Sequence, residues 1–317
     1  MGTGETDGVR PSGRRQAAQR LAGALAMTAG LGLASSASAQ TTVAPPVAES
    51  YETARGLGMG LGARASAAST SALQYNAAGL TLGRLYHIES VVGYEPGTGR
   101  ATFGASVIDS HSAPVAMGLS YRYVLGNGHD GHAGMEGRLA LAVALGDMFA
   151  IGLTGRYVTF TREGQVAGDT RGPFAEGPNV DAALRFSPVA GLHIALLGQN
   201  LVDVGSPLVP RLAGGGVSYT IDSFVTLAVD GLADLSTFHE LDGSLRPEAL
   251  VGGAVEIFVQ GVPIRAGYTF DSGRNQHAVT AGLGYVTQQL GVDLSMRQQV
   301  VGGDDTWLLA SFRYFVH

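Results

Sequence analysis

The chain has no cysteine among its 317 residues, which excludes disulfides and thiolate chemistry. It has no lysine either, because all 20 of its basic residues are arginine. That removes a P-loop lysine, a Schiff base and a Ser-x-x-Lys nucleophile. Charge of either sign is scarce, at 15% of residues, and the net value of −6 has the wrong sign for a nucleic-acid surface. Beyond the first forty residues there is also no apolar run near the roughly 20 residues that a membrane helix requires. Mean hydropathy is nonetheless +0.16. A chain that is apolar on average but never apolar for long spreads its hydrophobic residues thinly, and alternation along β-strands does this.

What the sequence does hold begins with an export signal. Arg10, Arg14, Arg15 and Arg20 precede the apolar stretch Leu21 to Ala34, and the small-residue site Ala37-Ser38-Ala39 follows. This is the order of a secretory signal cut before Gln40, and its apolar run of about 14 residues is too short to span a bilayer. The residues after Arg14-Arg15 lack the apolar character of a twin-arginine signal, so general export is expected. The chain then divides into a signal at 1–39, an N-terminal segment at 40–84 and a barrel at 85–317.

From Leu85 onward, segments of about ten residues alternate apolar with polar or small side chains, which places one set on each face of a strand. Met117, Leu119, Tyr121 and Tyr123 oppose Gly118, Ser120 and Arg122; Ile264, Ala266, Tyr268 and Phe270 oppose Arg265, Gly267, Thr269 and Asp271. Fourteen such strands are expected near 85–95, 100–109, 114–125, 136–146, 148–161, 177–187, 191–200, 209–220, 223–232, 248–259, 262–271, 276–286, 289–300 and 304–316. Their connections run short and long in turn, with brief links such as Gly146-Asp147 and Gln260-Gly261 set against long ones such as 126–134 and 232–249. An even strand number, short turns at one end and long loops at the other are the pattern of an outer-membrane barrel. Tyr94, Tyr121, Tyr123, Tyr157, Phe186, Tyr219, Tyr268, Tyr285, Phe312 and Tyr314 lie mostly toward strand ends, where an interfacial girdle would place them. The fold class is therefore all-β, a transmembrane antiparallel barrel of about fourteen strands.

Ala54 to Leu80 neither alternates nor forms a simple amphipathic helix, and is rich in Gly and Ala. Its residues Gly56, Gly58, Gly60, Ala72, Tyr75, Asn76, Ala78, Gly79 and Leu80 resemble the N-terminal motif of the FadL superfamily of outer-membrane barrels. The departure is Ala77, where that motif usually has Pro. Gly191 to Asp203, Pro210 to Tyr219 and Val262 to Phe270 are similar to segments of the shorter PorV/PorQ-like branch. The resemblance implies a fourteen-stranded barrel with an N-terminal hatch inside the lumen, marked by Gly56, Gly58, Gly60, Tyr75, Asn76 and Gly79. It also implies passive uptake or binding of hydrophobic small molecules, or alternatively a scaffold that holds a secreted protein at the cell surface. The expected partners are outer-membrane lipid, the barrel assembly machinery during biogenesis, and either such a ligand or such a protein, with no nucleic acid.

The lumen face so drawn carries Arg122, Arg138, Arg156, Arg185, Arg265, Arg297 and Arg313, with Glu89, Asp181, Asp230, Glu256, Asp271 and Asp293. Inside an occupied barrel such charges are expected to pair with one another or with the hatch backbone, the alternative being that some line a substrate path. A metal site from His129, Asp130 and His132 would lie in a Gly-rich loop with no strand to fix its geometry. His239-Glu240 starts like a zincin motif, but Gly243 stands where the second His belongs. Ser236 and His239 converge on no nucleophile arrangement, so neither a catalytic residue nor a cofactor is expected.

Overall fold

In a computed structural model of the chain, the described residues are 53–126, 132–162, 175–206, 208–238 and 244–316. The expected signal at 1–39 and the start of the 40–84 segment lie outside them, as do His129, Asp130, His239, Glu240 and Gly243.

Alternation of side chains gives each strand one lipid-compatible and one inward face, and closing the sheet removes the edges that would otherwise leave unpaired backbone in the membrane. The strands are β1 Tyr86–Glu95, β2 Arg100–Asp109, β3 Val115–Leu125, β4 His132–Leu145, β5 Phe149–Arg162, β6 Ala175–Val189 and β7 Leu192–Gln199. They continue with β8 Leu212–Ile221, β9 Val225–Asp234, β10 Glu248–Val259, β11 Val262–Asp271, β12 Gln276–Val286, β13 Leu290–Val301 and β14 Thr306–Val316. Each pairs antiparallel with its neighbours in the chain, and β14 closes on β1 from Tyr86↔Val316 to Tyr94↔Leu308.

Two strands run longer than the sequence pattern predicts. β4 starts at His132 rather than near 136 because His132 to Met135 pair with Thr159 to Arg162 of β5, and a backbone ladder needs no apolar side chains. His132 is therefore a strand residue rather than part of a loop. β6 extends over Ala175–Val189, with a register irregularity between Phe186 and Val189. β7 ends at Gln199, since Asn200 takes φ +56 and leaves the extended region.

The outward faces are apolar: Val115, Met117, Leu119, Tyr121 and Tyr123 of β3 are exposed, as are Leu139, Leu141, Ile151 and Leu153 on β4 and β5. Of the aromatics placed in the girdle, all but Phe186 are exposed; Phe186 is partly covered and stacks on Phe149 with centroids 4.8 Å apart. Among the described residues no helix is long and apolar enough to cross a membrane.

Residues 53–82 pack against the inward-facing side chains. α1 (Ala54–Gly58) is capped by Thr53, whose Oγ1 accepts from Gly56 N at 3.0 Å. α2 (Ser69–Tyr75) and a 3-10 helix (Ala77–Leu82) follow. Leu73, Ala77 and Leu80 form an apolar cluster with the inward Ile108, Ala116, Ala140 and Ala142. Ala54 and Leu57 pack with Val91, Trp307 and Leu309.

Candidate functional site

Among the described residues, the sequence's candidates come together in the lumen, around residues 53–82. Small residues make this approach possible. A Cβ on Gly56 would overlap the Tyr75 ring, and one on Gly79 would overlap the Ala67 carbonyl. Gly58 lies against Ser295 and Gly282, and Gly60 takes φ +53. Asn76 ties the segment to itself, its Nδ2 donating to Arg64 O at 3.0 Å while its own carbonyl accepts from Gly79 N at 2.8 Å. Packing or hydrogen bonding within and around residues 53–82 thus involves Gly56, Gly58, Tyr75, Asn76 and Gly79, and Gly60 takes a backbone conformation that favours glycine.

The inward charges fall into two networks. On β10 to β14, Arg265 donates to Glu256 Oε2 and to Asp293 Oδ1, each at 2.5 Å, and Arg313 pairs with the other oxygen of Asp293. On β4 to β6, Arg138 pairs with Glu136, and Arg156 lies 3.6 Å from Glu136 and 3.7 Å from Asp181. Both networks reach the central segment. Arg55 of α1 pairs with Glu256 at 2.9 Å, and Arg138 Nη1 donates to the Gln74 carbonyl at 2.7 Å. A third tie comes from Asp230, whose Oδ2 accepts from Arg64 N at 2.8 Å. Buried carboxylates and guanidiniums are tolerable only when matched in this way.

Arg122, buried on β3, is in register with Glu136 of β4 and so adjoins the second network. Arg297 lies over the Trp307 ring at 5.3 Å, and Asp271 pairs with Arg274 at 2.7 Å at the long-loop end. Arg185 stands apart with Thr81 at 2.9 Å. Glu136, Arg55 and Arg64 were absent from the lumen charges predicted from sequence. Glu136 shares its strand face with Arg138, so alternation alone could have found it; the two segment arginines carry no such periodic signal.

Another pairing that sequence reasoning missed joins Ser69 Oγ to His87 Nε2 at 2.8 Å, with Ser69 at φ +59. His87 Nδ1 has no partner, so no third group orients the ring as a Ser-His nucleophile requires. Among the described residues no three His, Asp or Glu side chains gather to hold a metal.

Two features of the lumen bear on passage. A cavity of about 10 Å³ beside Gln74, Asn76, Asp181 and Gln199 has room for roughly one water. At the long-loop end the inward face turns apolar, where Val124, Val158, Phe160 and Ala175 pack against Leu208 and Val209. Those two belong to the β7–β8 connection, which folds inward and is held by Asn200 Nδ2 donating to Pro210 O at 2.6 Å.

A closed antiparallel barrel of fourteen strands with an apolar outer belt is a transmembrane barrel of the outer-membrane type. No family model and no curated protein matches the chain by sequence. Solved structures share its fold. A Pseudomonas aeruginosa FadL homologue has TM-score 0.60 at 12% identity, over 84% of this chain and 98% of that one. The CymD monoaromatic hydrocarbon channel has 0.59 at 10%, over 85% and 98%. The Ralstonia pickettii toluene transporter TbuX has 0.55 at 12%, over 78% and 94%. At these identities the likeness is one of fold.

Proposed function

We propose that this barrel takes up hydrophobic small molecules passively across the outer membrane, with residues 53–82 as the hatch that closes its lumen. The observation that carries the reading is the apolar cluster at the long-loop mouth. The lumen is lined by ion pairs along its middle, whereas at this end Val124, Val158 and Phe160 face inward and make the mouth apolar. There they pack directly under Leu208 and Val209, so displacing the β7–β8 connection uncovers an apolar surface suited to a desolvated ligand. Similarity in fold to channels described as carrying toluene and monoaromatic hydrocarbons supports the same substrate class.

The path is gated. With room for about one water between the segment and β5 to β7, a ligand moves past the ion-paired belt only when part of residues 53–82 shifts. The test is accumulation of labelled toluene and of a labelled long-chain fatty acid in a deletion strain complemented with the wild-type gene or with Leu208→Asp. Uptake restored by the wild type and reduced several-fold by Leu208→Asp supports the reading. Equal accumulation in all three strains sinks it, and a secreted protein co-purifying with the barrel would then favour the surface scaffold.

A further inference from the structure

Arg185 differs from the inward arginines Arg138, Arg156, Arg265 and Arg313. It is buried on β6, where its Nη2 donates to Thr81 Oγ1 at 2.9 Å while its Nε and Nη1 have no partner. Arg138 and Arg156 share Glu136 and Asp181, and Arg265 and Arg313 share Asp293. Among the described residues no carboxylate pairs with Arg185. A buried guanidinium with its charge unanswered is unfavourable, so such a site attracts an anion.

The neighbours of Arg185 offer the rest of a binding corner. It lies opposite Ala195 of β7, and His193 projects two residues away on the same face. Ser187 Oγ is 2.8 Å from His193 Nδ1, which fixes the ring. Across from His193 on β8 is Ser218, whose buried hydroxyl has no partner. This cluster sits beside the short β6–β7 turn, where the wall meets water, and Thr81 and His193 are both partly exposed.

We propose that this corner at the short-turn mouth binds the carboxylate of a small organic acid. One uncompensated positive charge matches a monoanion, whereas a phosphate dianion would leave negative charge buried beside it. The planar guanidinium suits a carboxylate, and Ser218 supplies a further hydroxyl donor. Binding competes with Thr81, which holds one arm of Arg185. Nothing in this proposal depends on the uptake reading, since it concerns the acid group alone.

The test uses the full chain in nanodiscs, with thermal unfolding followed at increasing acetate, octanoate and phosphate at matched ionic strength. Acetate is expected to raise Tm in the wild type. Arg185→Gln should weaken that binding about tenfold or more, and Ser218→Ala should weaken it less. Octanoate binding more tightly than acetate would assign the site to acids with apolar tails, and equal binding would assign it to short free acids. A stronger shift from phosphate than from acetate overturns the carboxylate assignment. An acetate response that is the same in Arg185→Gln overturns the site. Should Arg185→Gln not fold, Thr81→Val removes the internal competitor and is expected to tighten acetate binding; unchanged affinity there overturns the proposal as well.

Discussion

Arg55 grips Glu256 with two hydrogen bonds, Nε to Oε2 at 3.1 Å and Nη2 to Oε1 at 2.9 Å, across 201 residues of sequence. Glu256 Oε2 also accepts from Arg265, so a single carboxylate answers one arginine of the segment and one of the wall. Replacing Glu256 by Gln removes the negative charge that Arg55 and Arg265 share, at a place where all three side chains are mostly buried. The expected cost is about 3–5 kcal/mol, concentrated where α1 docks. Hydrogen exchange at the amides of α1 should rise at least about tenfold while β3 to β5 stay protected. Arg55→Ala added to Glu256→Gln should cost less than the sum of the two, because both break the same pair. Unchanged exchange in α1 would mean that the pair does not hold the segment.

The wall and its contents were legible to different degrees. Alternation in stretches such as Met117 to Tyr123 suffices to place fourteen strands, because a lipid-facing side chain and its inward neighbour differ in polarity. The Gly-rich stretch signals close packing in the same direct way, as Gly56 under the Tyr75 ring illustrates. What a pattern of period two does not convey is which inward residue meets which. Arg138 and Arg185 both face inward from their strands, yet Arg138 finds Glu136 and Arg185 finds only Thr81. Strand ends escaped for a related reason. The first turn of the β4 ladder is held by backbone pairing through Gly134 and carries no alternation to read.

Two glycines on one strand should behave in opposite ways. Gly152 of β5 faces inward, where a Cβ would run into the backbone of Ala77 and Ala78, whereas Gly155 faces outward with nothing within 4 Å. Gly152→Ala is expected to destabilise by about 1–3 kcal/mol through overpacking and to loosen the 3-10 helix. Gly155→Ala should be neutral or slightly stabilising, since it trades backbone freedom for a methyl group against lipid. Urea unfolding of the two variants in lipid vesicles separates them, and equal stabilities would show that the 3-10 helix does not rest on β5.

At the rim, Asp305 lies between β13 and β14. Partial desolvation, and then the negative charges of Glu95 and Asp304, hold its pKa above the ordinary aspartate value, against the pull of Arg100 and Arg297. A folded-state value above the unfolded one means that the stability tied to the neutral acid is fully present below the ordinary pKa and is lost as pH rises through the raised one. Asp305→Asn, which mimics the neutral form, is therefore expected to melt slightly above the wild type at neutral pH, and the gap should close near about pH 3. The effect is small because the side chain is exposed. A gap that widened on acidification would reverse the assigned direction.

The sharpest test of the membrane assignment is a charge placed on the outer belt. Leu153, midway between the exposed aromatics Phe149 and Tyr157 of β5, is 59% exposed and pairs across the strands with Leu141, which is exposed as well. In water an arginine at such a position would be harmless, since a surface leucine gains little from exposure and arginine is readily solvated. In a bilayer the same substitution carries a guanidinium to the hydrocarbon midplane at an expected cost of about 2–4 kcal/mol, falling to roughly 0–1 kcal/mol near the interface. Thr161, also outward on β5 but close to its long-loop end, provides the interfacial comparison. Leu153→Arg should thus lose several kcal/mol more than Thr161→Arg when unfolding is measured in vesicles, and the difference should shrink in thinner bilayers. Equal and small losses at both positions would mean that the belt formed by Leu139, Leu141, Ile151 and Leu153 does not face lipid.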